Sequence, residues 1–258
     1  MRIATWNING MRARLEYLSR WLGEVSPDVV GLQELKMEDD KFPHDALAEL
    51  GYRAVTLGQK SWNGVAVLSR EAVEVTQRGL PGQEDLGARM LSVRAGGLTF
   101  VTVYCPNRKT LEHDDFRRKL RWFESLREWL DANHAPGEPL VLTGDFNVVP
   151  AAIDSFSEEE LGGGMFHTEA ERAALARLSD FGLVDLYRRL CPDDPGHSWW
   201  DYRAGAFHKR RGLRIDLVLA TERVAARARA AHVRRDWRKK IDGLTPSDHA
   251  PVWVDLDP

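Results

Sequence analysis

Short apolar runs bounded by acids, amides or an imidazole are the feature that most limits how this sequence can fold. The polar strings at their ends are Gln33-Glu34, Gly144-Asp145-Phe146-Asn147, Arg214-Ile215-Asp216 and Ser247-Asp248-His249. Carboxylates are depleted inside strands and costly to bury unpaired, so we expect these strings to gather oxygen atoms at one sheet edge. Hard divalent cations bind such oxygens, and they commonly assist the cleavage of phosphate esters.

The sequence lacks the motifs of several other kinds of active site. The chain has no Cys or His pair at zinc spacing, no Gly-rich phosphate loop and no Gly-x-Ser-x-Gly turn. Each string alone has a simpler interpretation: residues 144–147 fit an Asx turn after a strand, and Glu34 fits a strand-end salt bridge. Their joint occurrence along the whole chain favours one active site.

Strand and helix patterns alternate along the chain. Strands are predicted over residues 3–7, 29–33, 64–68, 98–104, 140–143, 215–220 and 252–256. The clearest helix covers residues 114–131, where apolar residues recur at helical spacing, namely Phe116, Leu120, Phe123, Leu126 and Leu130. A second helix opens at Thr168, which forms a capping box with Glu171, and is expected to stop near Gly182. The strands at 3–7 and 141–147 both end in Asn, which suggests a weak internal repeat.

Length and composition fit one globular domain over residues 1–258. The chain is long enough for a large core, and sandwiches of this size commonly form one domain. No apolar run approaches the roughly 20 residues that cross a bilayer, and no basic-then-apolar leader opens the sequence. Two cysteines, Cys105 and Cys191, suggest no disulfide framework. We therefore expect a reduced, cytoplasmic location without membrane attachment.

Positive charge is unevenly distributed along the chain. The formal net charge is -3, yet residues 203–240 hold thirteen Lys or Arg against three acids. Charge that matters for a polyanionic partner is local rather than global. A run of charge is usually a solvated face, but Lys209, Arg210 and Arg211 lie between two of the polar strings. We therefore predict that these three residues contact phosphates.

Six strings together carry a resemblance to a known family. They are Trp6-Asn7-Ile8-Asn9-Gly10, Leu32-Gln33-Glu34, Val103-Tyr104-Cys105-Pro106-Asn107, Gly144-Asp145-Phe146-Asn147, Arg211-Gly212-Leu213-Arg214-Ile215-Asp216 and Ser247-Asp248-His249-Ala250-Pro251. The chain resembles the exonuclease III family, the abasic-site endonucleases and 3′ exonucleases of base excision repair. The resemblance implies a DNase I-like α/β (α+β) fold, a four-layer αββα sandwich. In that fold two mainly antiparallel mixed β-sheets pack face to face, with helices on both outer sides.

The residues of the strings fit the needs of phosphodiester hydrolysis. A metal must neutralise the phosphate, a base must take a proton from water, and the leaving oxygen must be stabilised. Glu34 is the strongest candidate metal ligand, Asp145 the candidate base, and Asp216 is expected to hold His249 as a cation that faces the phosphate. The resemblance implies further members of the site. Tyr104 and Asn147 join Asp145, Asp216 and His249 as catalytic residues, and the metal set adds Asn7, Asp248, Asp145 and Asn147.

Substrate contacts follow mainly from the resemblance. It implies that Trp199, Leu213 and Ile215 line an apolar pocket for a flipped deoxyribose without its base. Asn9 and Arg108 are expected to contact DNA beside the basic run at 209–211. One segment departs from the family: residues 150–168, where relatives often carry a longer basic loop, are acidic and Gly-rich. Strong exonuclease activity, and a wedge formed by Met165 or Phe166, therefore do not follow from the resemblance.

The sequence thus predicts a monomeric DNA repair phosphodiesterase that uses Mg²⁺, or Mn²⁺, as one or two ions. Its expected partner is double-stranded DNA with abasic or damaged 3′ sites, and its expected location is the cytoplasm, at the nucleoid when acting. A superfamily phosphatase for inositol phosphates or sphingomyelin is the alternative enzyme, but a small headgroup needs no extended basic track. A non-catalytic DNA-binding module is a third class, and it would not require Glu34, Asp145 and His249 together.

Overall fold

The computed structural model describes residues 1–107 and 113–258, and it contains two six-stranded mixed sheets with helices on both outer sides. The strands are β1 (Arg2–Asn7), β2 (Val29–Gln33), β3 (Arg53–Leu57), β4 (Val65–Ser69), β5 (Glu74–Arg78), β6 (Met90–Ala95), β7 (Leu98–Tyr104), β8 (Leu140–Asp145), β9 (Leu183–Asp185), β10 (Asp216–Thr221), β11 (Ala228–Val233) and β12 (Val252–Leu256). The helices are α1 (Met11–Val25), α2 (His44–Glu49), α3 (Asp114–Asn133), α4 (Glu158–Leu161), α5 (Glu169–Ser179), α6 (Leu186–Leu190) and α7 (Glu222–Ala225). The predicted four-layer αββα class is confirmed.

The two sheets have the same topology. Their strand orders are β11-β12-β1-β2-β4-β3 and β5-β6-β7-β8-β10-β9. Each sheet has one parallel pair, β1 with β2 and β7 with β8, and every other pairing is antiparallel. Helices α1 and α3 make the two parallel connections. The internal repeat therefore matches β1 to β7 and β2 to β8, so the alignment of residues 3–7 with 141–147 was wrong.

Apolar side chains of both sheets share one interior. Ile3, Val67, Phe100 and Val218 belong to a single buried cluster between the sheets. Gly31 allows the close approach, because a Cβ there would lie 2.4 Å from the Thr102 hydroxyl. The outer faces are covered by separate clusters, one under α1 and one under α3 and α5. The single-domain assignment over residues 1–258 stays a prediction.

Helix α3 buries a different stripe from the one expected. Phe123, Leu126 and Leu130 are buried as predicted, but Phe116 and Leu120 are only partly buried. The buried stripe instead includes Lys119, Trp122 and Trp129. The capping box of α5 is confirmed, and the helix ends at Ser179, three residues before Gly182.

Five strands and the long helix α1 were not predicted. Strand β5 is mostly exposed and polar, and β3, β9 and β11 lie at or near sheet edges, so their apolar patterns are weak. Strand β6 is largely buried but was missed. Helix α1 begins after Gly10, which provides no side-chain cap, so the usual sequence signal for a helix start is missing. No described helix has the length and apolar character of a membrane span.

Candidate active site

The two parallel pairs bring most of the polar strings to one edge of the sandwich. The carboxyl ends of β1, β2, β7 and β8 meet there, since each parallel pair ends together. Strands β10 and β12 run antiparallel to their neighbours, so Asp216 and the residues before Val252 reach the same edge. The predicted gathering of polar groups follows directly from this topology.

Backbone conformation at the strand ends turns the side chains into the site. Glu34 and Asn147, which follow β2 and β8, have φ values of 53° and 50°. Positive φ is uncommon for residues other than glycine and concentrates at functional sites. Gly144 is needed for a different reason: a Cβ there would lie 1.9 Å from the Val103 carbonyl oxygen of the neighbouring strand. The close β7–β8 approach therefore places Asp145 beside Tyr104.

Two carboxylates share one amide at the centre of the site. The Nδ2 of Asn7 donates to Glu34 Oε1 at 2.9 Å and to Asp145 Oδ2 at 3.0 Å. The side-chain oxygen of Asn7, Oδ1, accepts the backbone N–H of Asn9 at 3.0 Å. In this arrangement Asn7 orients the carboxylates and does not present its oxygen to them, so its role as a metal ligand stays a prediction. Gln33 points elsewhere, since it is buried between the sheets and donates to Thr5 and Thr102.

His249 lies between two aspartates. Its Nδ1 is 2.8 Å from Asp216 Oδ2, and its Nε2 is 3.8 Å from Asp145 Oδ2. Ser198 donates its hydroxyl to the same Asp216 oxygen at 2.6 Å. The predicted Asp216–His249 contact is therefore present, and it is fixed by a third side chain. Asp145, His249 and Asp216 are almost completely buried.

The surroundings of Asp145 and His249 raise the pKa of both side chains. Burial raises the pKa of Asp145 to about 7, although the positive charge of His249 opposes the rise. Burial lowers the pKa of His249, but the charge and hydrogen bond of Asp216 outweigh it and raise the pKa to about 10. Near neutral pH the site therefore holds an imidazolium beside a carboxyl group poised to take a proton.

Tyr104 and Asn147 complete the polar wall. Tyr104 is buried, and burial together with the negative charges of Glu34 and Asp145 raises its pKa well above the usual value, so its hydroxyl stays a neutral donor. The backbone N–H of Asn147 donates to Asp145 Oδ1 at 2.9 Å, and its side-chain NH₂ donates to the Cys105 carbonyl at 3.0 Å. Asn147 thus orients the Asp145 carboxylate.

Asp248 is held slightly apart from the carboxylate pair. Its oxygens accept Asn9 Nδ2 at 2.7 Å and Trp199 Nε1 at 3.0 Å. Burial opposes ionisation, but the charge of His249 and these two hydrogen bonds lower the pKa of Asp248. Both carboxylate oxygens already have partners, so a metal role for Asp248 stays a prediction. Asn9 is placed at the site as expected.

The expected apolar pocket residues do meet. Leu213 and Ile215 are buried in one cluster with Phe166, and Trp199 packs against it edge-on to the Phe166 ring at 6.2 Å. Trp199 also pairs with His249 through the backbone, which places its indole next to the imidazole. Phe166 is buried here, whereas Met165 is 46% exposed. Of the two wedge candidates, only Met165 presents its side chain to solvent.

Basic residues lie on two sides of the site. Lys209, Arg210 and Arg211 are exposed as expected. Two other cations of the 203–240 segment are withdrawn from the surface, since Arg214 is buried against Asp154 and Asp185 and Arg238 is buried as well. A second basic group, not predicted, lines a cleft of about 420 Å³ beside Asn9, and its members are Arg12, Arg14, Lys36, Lys41 and Lys60. Arg108 lies outside the described residues, and its DNA contact stays a prediction.

A metal ion would suit the carboxylates of this site. Among residues 1–107 and 113–258, ligand atoms of Glu34, Asp145 and His249 lie within 4.8 Å of one another. A cationic group already sits at these oxygens, since Lys36 Nζ is 2.8 Å from Glu34 Oε2. His249 is held as a cation by Asp216, so it is a poor ligand. The donor set therefore fits a hard cation bound through carboxylate oxygens, with Glu34 as its first ligand.

Two contributors were missed from the sequence. Lys36 lies two residues after Glu34 and also donates to Asn9 Oδ1, but a lone lysine after a strand has no distinguishing pattern. Ser198 lies beside the predicted Trp199, and a hydroxyl in an aromatic string resembles ordinary core filling. The contacts of Lys36 with Asn9 and of Ser198 with Asp216 join residues far apart in the sequence, so only the fold reveals them.

Comparison with known proteins agrees with this geometry. The profile of the Endonuclease/Exonuclease/phosphatase family matches residues 4–249. Exodeoxyribonuclease III of Haemophilus influenzae is 35% identical over 99% of this chain and all of that protein. A Neisseria 3′ phosphatase solved with a product DNA hairpin is 36% identical, with a TM-score of 0.94 over 100% of this chain and 99% of that one. An AP endonuclease from Archaeoglobus fulgidus is 32% identical, with a TM-score of 0.95 over the whole of both chains. This chain belongs to the Endonuclease/Exonuclease/phosphatase family, in its exodeoxyribonuclease III branch.

Proposed function

We propose that this protein is a metal-dependent DNA repair phosphodiesterase that cuts the backbone 5′ to abasic sites and trims 3′ ends. One observation carries the proposal: the Asp216–His249–Asp145 series lies beside Glu34 at a single sheet edge. Relatives named as an exodeoxyribonuclease, a 3′ phosphatase and an AP endonuclease support the same chemistry.

The side chains divide the work of hydrolysis. Asp145 takes the proton from the attacking water, since its raised pKa makes it a base near neutral pH. The His249 imidazolium donates to the scissile phosphate and stabilises the charge that develops there, while Asp216 keeps it protonated. Tyr104 supplies a neutral hydroxyl to the same phosphate. A bound Mg²⁺ or Mn²⁺, held first by Glu34, would neutralise charge on the phosphate and the leaving oxygen.

Selection of an abasic nucleotide would come from the apolar cluster of Trp199, Leu213, Ile215 and Phe166. A sugar without its base flips out cheaply, because little stacking is lost. These side chains would form the wall of a recess beside His249 that accepts that sugar and excludes an intact nucleotide by size. The monomeric state and the location in the cytoplasm, at the nucleoid when acting, stay predictions from the sequence.

The central test is incision of a duplex that carries one tetrahydrofuran residue. We expect a cut 5′ to that residue with Mg²⁺ or Mn²⁺. We expect no cut with EDTA, because the metal cation that would neutralise the phosphate charge is then removed. Product lengths on a denaturing gel give the measurement. The matched control is the same duplex with an intact nucleotide at that position, and a duplex with a recessed, 3′-phosphorylated end reports trimming. Trimming of the 3′ end without abasic incision would contradict the proposal that the apolar cluster selects a sugar without its base. DNA binding without any cleavage would contradict the proposal that the protein is a nuclease.

The two basic groups predict the salt dependence of DNA binding. Alanine at Lys209, Arg210 and Arg211 should reduce the slope of log affinity against log salt by up to about 0.9 per lost phosphate contact. Alanine at Arg12, Lys41 and Lys60 should do the same if the duplex spans both sides of the site. Binding is measured by fluorescence anisotropy over a salt series, without metal so that the DNA stays intact.

The control triple variant is taken from the opposite end of the sheets. There, exposed arginines lie at the start of β3, the end of β6 and on α7, namely Arg53, Arg94 and Arg223. Alanine at these positions removes the same net charge and should leave the slope unchanged. If all three triple variants behave alike, the basic groups beside the site are only solvated surface.

A further inference from the structure

A fully buried ion pair lies behind the site and is unused by the chemistry above. Lys119 on α3 and Glu171 on α5 are both 0% exposed, and Lys119 Nζ is 2.7 Å from Glu171 Oε1. Taking two charges out of water is costly, and a well-packed apolar pair of similar volume is often as stable. Stability alone therefore gives little reason for this pair.

The ammonium group of Lys119 reaches the turn that orients the candidate base. Besides Glu171, it donates to the backbone carbonyl of Asn147. Asn147 has positive φ, and its own N–H donates to Asp145 Oδ1 at 2.9 Å. A single backbone residue thus connects the buried cation to the carboxylate of Asp145.

Glu171 anchors the other side of Lys119. Its second oxygen accepts the hydroxyl of Thr168 at 2.7 Å and the Thr168 N–H at 3.2 Å, in the capping box that begins α5. Lys119 Nζ also lies 5.4 Å from the centre of the Phe166 ring, whose edge meets Trp199. The pair therefore joins the start of α5, the Asn147 turn and the apolar cluster in one rigid contact.

We propose that Lys119, held by Glu171, is a positioning residue for the hydrolytic reaction. It fixes the αL conformation of Asn147, and through the Asn147 N–H it aims the Asp145 carboxylate at the attacking water. Lys119 is buried and does not touch DNA, so its loss lowers kcat and leaves DNA affinity and KM nearly unchanged. This inference rests on the proposed nuclease activity.

The test replaces both charges together, so that neither is left buried alone. In K119M/E171M the side chains keep similar length and the core stays filled, but the Asn147 carbonyl loses its donor. We expect kcat on the tetrahydrofuran duplex to fall, by up to about 10²-fold for a misplaced base, with KM and DNA affinity within a small factor of wild type. The matched control is L126A, which opens a cavity about two turns further along the same face of α3, removes no hydrogen bond to Asn147, and should lower the melting temperature without a comparable loss of kcat.

A second readout does not depend on catalysis. Hydrogen exchange at the Asn147 amide, followed by NMR, should accelerate in K119M/E171M, while exchange in the centre of β7 stays slow. In L126A the Asn147 amide should keep its protection. Unchanged kcat together with unchanged exchange at Asn147 would make the pair purely structural and overturn the inference. If wild type itself cuts no DNA, the proposed function fails, and the exchange experiment still decides whether Lys119 positions the turn.

Discussion

Replacing Asp145 by Asn should reduce the cleavage rate by roughly 10²- to 10⁴-fold, the range expected for loss of a general base. Asparagine keeps the size of the side chain and can still accept one hydrogen bond, from Asn7 or from the Asn147 amide. It cannot take a proton, so water is no longer activated. The measurement is single-turnover cleavage of the tetrahydrofuran duplex with Mg²⁺, beside DNA affinity and melting temperature, both of which should stay near wild type.

Glu34→Ala should cause a comparable loss for a different reason. It removes the first metal ligand and leaves Lys36 without its carboxylate partner. A shift of the metal concentration needed for half-maximal rate would separate this variant from Asp145→Asn.

Asp131→Asn is the matched control, since Asp131 is an exposed acid on α3 paired only with Arg127 in the described contacts. A near-wild-type rate in Asp145→Asn with Mg²⁺ would contradict the role of base.

Much of the site could be predicted because its acids end strands. Glu34, Asp145 and Asp216 each follow or begin a buried apolar run, and such acids have few roles other than a site or a salt bridge. Parallel pairing then brings the strand ends together without further information. The contact between Asp216 and His249 was also predictable, since the two lie at the starts of strands that run toward the opposite end of the sandwich.

The supporting contacts could not be predicted, because they depend on how layers pack. Helical spacing in α3 placed Phe116 and Leu120 inside, but α5 packs against a face rotated toward Lys119. A lysine among arginines on an amphipathic helix is normally a solvent-facing residue. Its partner Glu171 is fifty-two positions later and was predicted only as a helix cap. The contact between Lys119 and Glu171 can be recognised only when both helices are placed on the same sheet.

Asp216→Asn should move the alkaline limit of activity. With the charge and hydrogen bond of Asp216 removed, only the charges of Asp145 and Asp248 oppose the effect of burial, so the pKa of His249 falls from about 10 toward its ordinary value. The imidazole is then neutral at pH 8, and we expect a loss of roughly 10²-fold there and a smaller loss at pH 6.

The pH dependence of folding stability should also change in the variant. The raised pKa of protonated His249 stabilises the wild-type fold fully below pH 6.5, and this contribution is lost as the pH rises through about 10. The melting-temperature difference between wild type and variant should therefore shrink from pH 6.5 to 10. Ser198→Ala, which removes a hydrogen bond to Asp216 but no charge, is the matched control and should keep the wild-type limit. If Asp216→Asn lowers the rate equally at every pH, the aspartate only orients the ring, and the imidazolium is not required for cleavage.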